Sequence, residues 1–431
     1  MLIELNRRGL AASKTAVFRV DAGPDIGMGH FMRCRTLAFE LVRRNWVVFF
    51  VGSGLPGNLF TPCRGRVNGI INLIEFGPHV TSADDAKVLL ELLMTKSVGA
   101  VDCLIIDTYV YNRGDFAYLQ RFGRGRFPVL VIDDLANRDT PAQAVLNPNP
   151  LFAREPYERQ KIPHILCGEQ YTLIRPEITA LRERVYNDTG LIMVTMGGGN
   201  VVAPLMRVLR SIPSEISNRI CVSVSPACPL DAINEWISLD PVMRFLNTDS
   251  RLFPELLANS AFAITGGGTT LWETYCIGVP SLCLVWVANQ KQASVVIQQQ
   301  ATSFLIDIAE QINQGLQSSF IEEGIKSLRD GVVSASEVRR RELEGYSASE
   351  VIRRDKTSFL VDSESSVNID FISQILREFK NVPEQRLEMM RKQRALIDGG
   401  GVVRCADLLE TLEWQAVDLL AADWRQSYED W

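Results

Sequence analysis

The chain has 431 residues, of which 46% are hydrophobic and 22% charged, with a formal net charge of −6. This length exceeds one ordinary core, so we expect two domains. The acidic balance offers no basic surface for nucleic acid, which we exclude as a partner. We see no signal peptide and no apolar run of membrane-spanning length, so we expect a cytoplasmic protein without a membrane span.

Alternating strand and helix patterns fill the first part of the chain. Strand patterns occupy residues 16–20, 46–52, 101–107 and 127–133. A helical pattern at 31–44 separates the first two strands, and such alternation predicts a mainly parallel sheet with helices on both faces. Ligands bind beyond the carboxyl ends of such strands, where Asp21, Asp107 and Asp133 would lie.

The same pattern starts again after a polar, proline-bearing stretch at 149–164. Strand patterns at 191–195, 220–225 and 261–265 alternate with helical ones, and two of these strands run into glycine loops. We therefore expect an N-terminal domain over residues 1–184 and a C-terminal domain over 185–431, with a cleft between them. The charge-dense segment 309–357 is interpreted as a possible insertion, and helices are predicted at 368–379 and within 384–413.

The first candidate site is Gly27-Met28-Gly29-His30, at the junction of a strand and a helix. Glycines before a helix let the backbone approach a ligand, and the helix N-terminus offers free N–H groups. His30 could serve there as a general base. The alternative is a histidine that caps an ordinary turn. A third glycine is missing, so the pattern supports a nicotinamide site only weakly.

The second candidate site is Gly266-Gly267-Gly268-Thr269-Thr270, followed by Glu273. Three glycines and two hydroxyls at the start of a helix suit a diphosphate, and Glu273 could accept the ribose hydroxyls of a nucleotide. No lysine follows the glycines, which excludes a Walker A loop. The alternative is a tight turn with a capping box from Thr270 to Glu273.

Two further stretches carry polar groups at strand ends. Gly197-Gly198-Gly199-Asn200 could face the same cleft and contact the substrate, or form a flexible turn. Asn289 and Gln290 follow another strand, where carboxamides could bind sugar hydroxyls or simply lie at the surface.

Several stretches, in chain order, resemble the nucleotide-sugar hydrolases of pseudaminic acid biosynthesis. They are "VDAGPDIGMGHFMRCRTLAFEL", "LVIDDLANRD" with "AVLNPNP", "CGEQYTLIRPEI", "VTMGGGN", "GGGTTLWETYCIGVPSLCLVWVANQ" and "RKQRALIDGGGVVR". The resemblance covers roughly residues 16 to 308 and 384 to 413. That family is related to the N-acetylglucosaminyltransferase that makes lipid II, so the resemblance implies an α/β chain of GT-B architecture, two Rossmann-like domains flanking a cleft.

The resemblance implies that water cleaves a UDP-linked 2,4-diacetamido-trideoxyhexose at its anomeric carbon, giving UDP and free sugar without metal or cofactor. It implies that His30 is the general base. The other implied contacts are Gly27, Gly29 and Arg33 around that base, Tyr171 and Arg175 on the substrate, Gly267, Thr269, Thr270 and Glu273 on UDP, and Asn289 and Gln290 near the sugar. The chain departs from the family at Ala288, where an acidic residue is frequent, and at 309–357, which has no counterpart.

Two other function classes remain open from the sequence. A glycosyltransferase would use the same cleft and pass the sugar to an acceptor, although the chain shows only modest candidates for a membrane-facing patch. A non-catalytic protein that binds sugar nucleotides is the second, and His30 disfavours it because simple binding needs no base. The sequence leaves the oligomeric state open.

Overall fold

The computed structural model describes two parallel α/β domains. The described residues are 14–23, 28–56, 71–76, 84–95, 98, 100–123, 127–188, 190–198, 201–225, 228–307, 333–334, 359–361, 369–379 and 383–411. No helix within these ranges is both long enough and apolar enough to cross a membrane. The cysteines at 34, 103, 167, 221, 228, 276, 283 and 405 are buried, as their apolar surroundings predict, whereas Cys63 lies outside the described residues.

The first domain is built on seven strands. They are β1 (Thr15–Val20), β2 (Val47–Gly52), β3 (Ile71–Glu75), β4 (Cys103–Asp107), β5 (Val129–Ile132), β6 (Ala144–Asn147) and β7 (His164–Cys167). The helices of this part are α1 (Gly29–Arg43), α2 (Asp85–Leu93), α3 (Arg113–Gly123) and α4 (Glu155–Arg159), and α5 (Pro176–Thr179) follows where the chain enters the second domain. All pairings are parallel, in the order β3-β2-β1-β4-β5-β6-β7, so the order reverses between β1 and β4.

The second domain repeats this arrangement with eight strands. They are β8 (Leu191–Thr195), β9 (Ile220–Ser223), β10 (Arg244–Asn247), β11 (Ser260–Gly266), β12 (Ser281–Val285), β13 (Phe304–Asp307), β14 (Val333–Ser334) and β15 (Phe359–Val361). Its helices are α6 (Val202–Arg210), α7 (Asp231–Ser238), α8 (Phe253–Ala258), α9 (Thr269–Ile277), α10 (Lys291–Gln300), α11 (Ile369–Glu378) and α12 (Pro383–Leu396). The order is β10-β9-β8-β11-β12-β13-β15-β14, again all parallel, and it reverses between β8 and β11.

Strongly patterned elements lie where the sequence predicts them. Helix α1 buries Cys34, Leu37, Ala38, Leu41 and Val42, the five residues of its expected apolar face. Strand β1 is buried along its whole length because helices cover both faces of a parallel sheet.

The sequence analysis did not predict seven short strands of two to five residues each, namely β3, β6, β7, β10, β13, β14 and β15. Such short runs are too brief for a clear hydrophobic period. Of the segment 309–357, only β14 is described, and together with β15 it extends the edge of the second sheet.

The chain passes between the domains twice, and the two passages touch. Leu173 packs into the first core and the next residue, Ile174, into the second. The return passage runs from the end of α12 to helix α13 (Gly401–Thr411). A Cβ at Gly401 would lie 2.2 Å from the backbone oxygen of Thr172, so this close approach requires a glycine.

Helix α13 belongs to the core of the first domain. Its residues Val402, Cys405, Ala406 and Leu409 are buried with the side chains of β1 and α1. The predicted division at 184/185 groups residues 401–411 with the second domain, whereas the structure packs them against the first. Because α13 packs against residues that are far away in sequence, no local sequence pattern predicts this contact.

Candidate functional site

A cleft of about 1130 Å³ lies at the carboxyl ends of both sheets. Both domains line it, and both points of strand-order reversal open into it, as expected for ligand sites of parallel α/β sheets. Its size suits a ligand somewhat larger than an ordinary drug-sized molecule. The two strand–helix loops after β1 and β11, singled out from the sequence, therefore face one cavity.

His30 lies in the first turn of α1 and is held by a buried carboxylate. Its Nδ1 atom is 2.6 Å from Oδ1 of Asp107, the last residue of β4. Strands β1 and β4 are neighbours, and their register pairs Val20 with Asp107, which brings the carboxylate beside the loop that leads to α1. The residue before α1 makes no side-chain capping bond, and His30 bonds across the sheet, so the helix-cap alternative is not what the structure shows.

Arg33 fixes the ionisation state of Asp107. Its guanidinium donates from Nε to Oδ2 and from Nη2 to Oδ1, both at 2.6 Å. Burial alone would raise the pKa of the Asp107 carboxyl, but the charges of Arg33 and His30 outweigh burial and hold that pKa well below its ordinary value. Asp107 is therefore an ionised acceptor. We assign the proton between the two residues to Nδ1 of His30, which leaves Nε2 as the basic nitrogen of the neutral ring.

Asp134 and Tyr109 extend this network into the cleft. Arg33 Nη1 donates to Asp134 Oδ1 at 2.6 Å, and the Tyr109 hydroxyl donates to Asp134 Oδ2 at 2.8 Å. The Tyr109 ring packs edge-on against the His30 ring with centroids 4.7 Å apart. Burial and the neighbouring Asp134 charge raise the pKa of Tyr109, so the phenol stays a donor. Neither residue was predicted, although both directly follow strands that end in aspartate.

The glycine loop of the second domain leads into helix α9, whose N-terminus faces the cleft. Gly267 packs tightly, since a Cβ there would lie 2.9 Å from the Cβ of Ala293, whereas a Cβ at Gly268 would meet nothing within 4 Å. Thr269 and Thr270 open α9 and line the cleft. Gly268, before the helix, provides no side-chain cap, so the first N–H groups of α9 are suited to an anion.

Glu273 pairs with Arg175 rather than closing a capping box. Arg175 donates from Nε to Oε1 at 2.6 Å and from Nη2 to Oε2 at 2.9 Å, and both side chains are about nine-tenths buried. The capping-box alternative is thus wrong, because the Glu273 carboxylate is turned toward the chain segment between the domains. Each carboxylate oxygen has a second lone pair, so Glu273 can still accept hydroxyl groups from a ligand.

The remaining predicted residues are distributed unevenly around the cleft. Gly29, Asn289 and Gln290 line it, and Gln290 Oε1 accepts a hydrogen bond from the backbone N–H of Trp286 at 3.2 Å. Tyr171 lies outside the cleft lining and packs against the first core. Gly27, like Gly199 and Asn200, lies outside the described residues.

Gly198 brings the two domains into contact beside His30. A Cβ at Gly198 would lie 2.6 Å from the Cβ and 2.9 Å from the Cγ of Met28, two residues before the histidine. No side chain fits there unless Met28 moves. The sequence suggested that Gly198 contacts the substrate, and the structure gives it a second role as a point of close approach across the cleft.

Comparison with known proteins defines the fold. No family model matches the chain. The chain is 25% identical over 149 residues to the spore coat polysaccharide biosynthesis protein SpsG of Bacillus subtilis. The matched segment is 33% of this chain and 44% of the relative, so less than half of the relative's length is represented.

Solved structures match the chain over nearly its whole length. MurG of Acinetobacter baumannii superposes with a TM-score of 0.53 at 12% identity, covering 93% of this chain and all of that one. Arabidopsis thaliana UGT89C1, complexed with UDP-L-rhamnose, gives 0.56 at 11% identity, covering 92% and 98%. A putative UDP-N-acetylglucosamine 2-epimerase of Listeria monocytogenes gives 0.53 at 12% identity, covering 93% and 96%. The predicted GT-B-like fold, two Rossmann-like domains with a cleft between them, is confirmed.

Proposed function

We propose that the chain hydrolyses a UDP-linked sugar to UDP and free sugar, with His30 as the general base. The observation that carries this proposal is the His30–Asp107 pair at the cleft. The unprotonated Nε2 of His30 takes a proton from water, whose oxygen bonds to the anomeric carbon. The bond between that carbon and the diphosphate oxygen breaks, and its electron pair leaves with UDP.

The second domain supplies the UDP site of this proposal. The N-terminus of α9 and the hydroxyls of Thr269 and Thr270 offer donors to the diphosphate, and they stabilise the charge that develops on the leaving group. Glu273, one turn further along the helix, would accept the ribose hydroxyls. The cleft continues past the ends of β9 and β10, which leaves room for the uracil ring of UDP.

The identity of the sugar rests on resemblance. The pseudaminic-pathway motifs favour a 2,4-diacetamido-trideoxyhexose, and the relative in Bacillus subtilis is named for polysaccharide biosynthesis. The named structural neighbours include a UDP-L-rhamnose complex and a putative UDP-N-acetylglucosamine epimerase. All of these support a place for this chain in sugar-nucleotide or polysaccharide biosynthesis.

A second candidate function is transfer of the sugar to an acceptor. Tyr109, Val110 and Leu135 are between 36% and 44% exposed and lie in the loops after β4 and β5, and the ring of Tyr109 packs against His30. An apolar surface at this position would suit an acceptor with an apolar part.

The two functions are separated by measuring UDP release from a panel of UDP-sugars without acceptor or added metal. We expect the wild-type chain to release UDP with water alone. Tight UDP binding without release, and release only after an acceptor is added, would contradict hydrolysis and establish the transferase.

The contact between Gly198 and Met28 predicts a steric effect on turnover. Gly198→Ala should lower kcat for UDP release at least about tenfold, because the added methyl displaces Met28 and with it the start of α1 that carries His30. The affinity for UDP should change by no more than a few-fold, since UDP lies against α9. Steady-state kinetics and calorimetry measure the two quantities.

The matched control for this prediction is the double variant Met28→Gly/Gly198→Ala, compared with Met28→Gly alone. Removing the Met28 side chain makes room for the new methyl, so Gly198→Ala should cost little in that background. An equal loss in both backgrounds would show that the contact with Met28 is not the cause.

A further inference from the structure

Trp286, directly after β12, carries a buried hydrogen-bond donor. Its Nε1 atom is shielded from solvent and has no hydrogen-bond partner among the described residues. The indole body packs against the second core, and the residue lines the cleft. Buried donors in native proteins are nearly always paired, and the described residues supply no partner for this N–H, so a bound ligand is the candidate partner.

A second donor converges on the same place. Gln290 Oε1 accepts from the backbone N–H of Trp286, and this bond orients the carboxamide with its Nε2 group away from that N–H. A Cβ on Gly266 would lie 3.3 Å from Gln290 Nε2 and 3.4 Å from Trp286 Nε1. The two N–H groups therefore lie next to the position that a Cβ would occupy at Gly266. Glycine leaves that position empty.

An acceptor completes the border of this space. The backbone oxygen of Met196 would lie 3.2 Å from the same Cβ position. Two neutral donors and one carbonyl acceptor do not suit a phosphate, whose oxygens would face the carbonyl of Met196. They suit a neutral group that accepts and donates at once.

We propose that Trp286 Nε1 and Gln290 Nε2 donate hydrogen bonds to a neutral substituent of the sugar, an acetamido or hydroxyl group whose own N–H or O–H faces the Met196 carbonyl. This inference rests on the proposed function in that it takes the cleft to bind a nucleotide sugar. It makes Trp286 a residue that determines sugar specificity, separate from the groups that hold UDP.

The test is binding by calorimetry of UDP, UDP-glucose and UDP-N-acetylglucosamine to the full chain and to Trp286→Phe. Phenylalanine keeps an aromatic ring against the core and removes the N–H together with part of the apolar area of the indole. We expect about tenfold weaker binding of a UDP-sugar and unchanged binding of UDP. A loss confined to UDP-N-acetylglucosamine identifies the acetamido group, and an equal loss for both sugars identifies a hydroxyl.

Trp236→Phe is the matched control, because Trp236 lies in the core of the same domain on α7, away from the cleft lining. Gln290→Glu keeps the Oε1 acceptor and replaces the Nε2 donor, so it should show the same selectivity and gives an independent readout where Trp286→Phe folds poorly.

Two outcomes would overturn the inference: UDP alone losing affinity in Trp286→Phe, which assigns the donor to the diphosphate, or no change for any ligand in both variants. A wild type that binds UDP-sugars without hydrolysing them refutes the proposed hydrolysis and leaves this inference standing.

Discussion

His30→Ala is expected to lower kcat for UDP release by about 100-fold or more, the usual contribution of a positioned general base. The affinity for UDP should stay within a few-fold of wild type, because the diphosphate site that we propose is at the N-terminus of α9, in the other domain. UDP release measured over a range of substrate concentrations, with calorimetry for UDP, separates the two effects. An equal loss of rate and affinity would reduce His30 to a structural role.

Asp107→Asn is the matched partner of that experiment. The asparagine keeps the size of the side chain, but its amide can donate to Nδ1 and favour the ring tautomer that carries the proton on Nε2. A protonated Nε2 cannot take a proton from water. We therefore expect a loss in kcat of similar order, and wild-type kcat in this variant would contradict the proton assignment drawn from the 2.6 Å contact.

Glu273→Ala is expected to lower both stability and nucleotide affinity. The substitution leaves the Arg175 guanidinium about nine-tenths buried without its carboxylate partner, which should lower the free energy of unfolding by about 3 kcal/mol. The loss of the carboxylate that we propose accepts the ribose hydroxyls should weaken UDP binding by about tenfold. Urea unfolding and calorimetry measure the two losses.

The double variant Arg175→Met/Glu273→Leu distinguishes the two roles of Glu273. Replacing both charged groups with apolar ones removes the two buried charges together, so most of the stability should return. UDP affinity should remain low, because the ribose acceptor is still missing. Unchanged UDP affinity in Glu273→Ala would refute the ribose assignment and leave the pair as a purely structural link between the domains.

The sequence predicts those parts of the site that lie on one local pattern. Glycines between a strand and a helix mark both His30 and the start of α9, since a strand, a turn and a helix follow each other directly along the chain. The two-domain α/β architecture follows from the same alternation. Each of these features depends on neighbours along the chain.

The rest of the site depends on which strands lie side by side. Asp107 meets His30 because β4 pairs with β1, across 77 residues of sequence. Arg175 reaches Glu273 across 98 residues, from the segment where the chain enters the second domain. A strand-end aspartate was visible at 107, but its partner could not be identified until the strand order was known.

Helix α13 has a consequence for how the protein is made. The first domain needs Val402, Cys405 and Leu409 to fill its core, and these residues follow the end of α5 by about 220 positions. At ribosomal rates of roughly 5–20 residues per second, that interval lasts roughly 10–40 s. During it the apolar side of α1 that α13 later covers stays open, so the first domain to be synthesised is the last to complete its core. A nascent chain of this protein therefore exposes that apolar side of α1 until α13 leaves the ribosome.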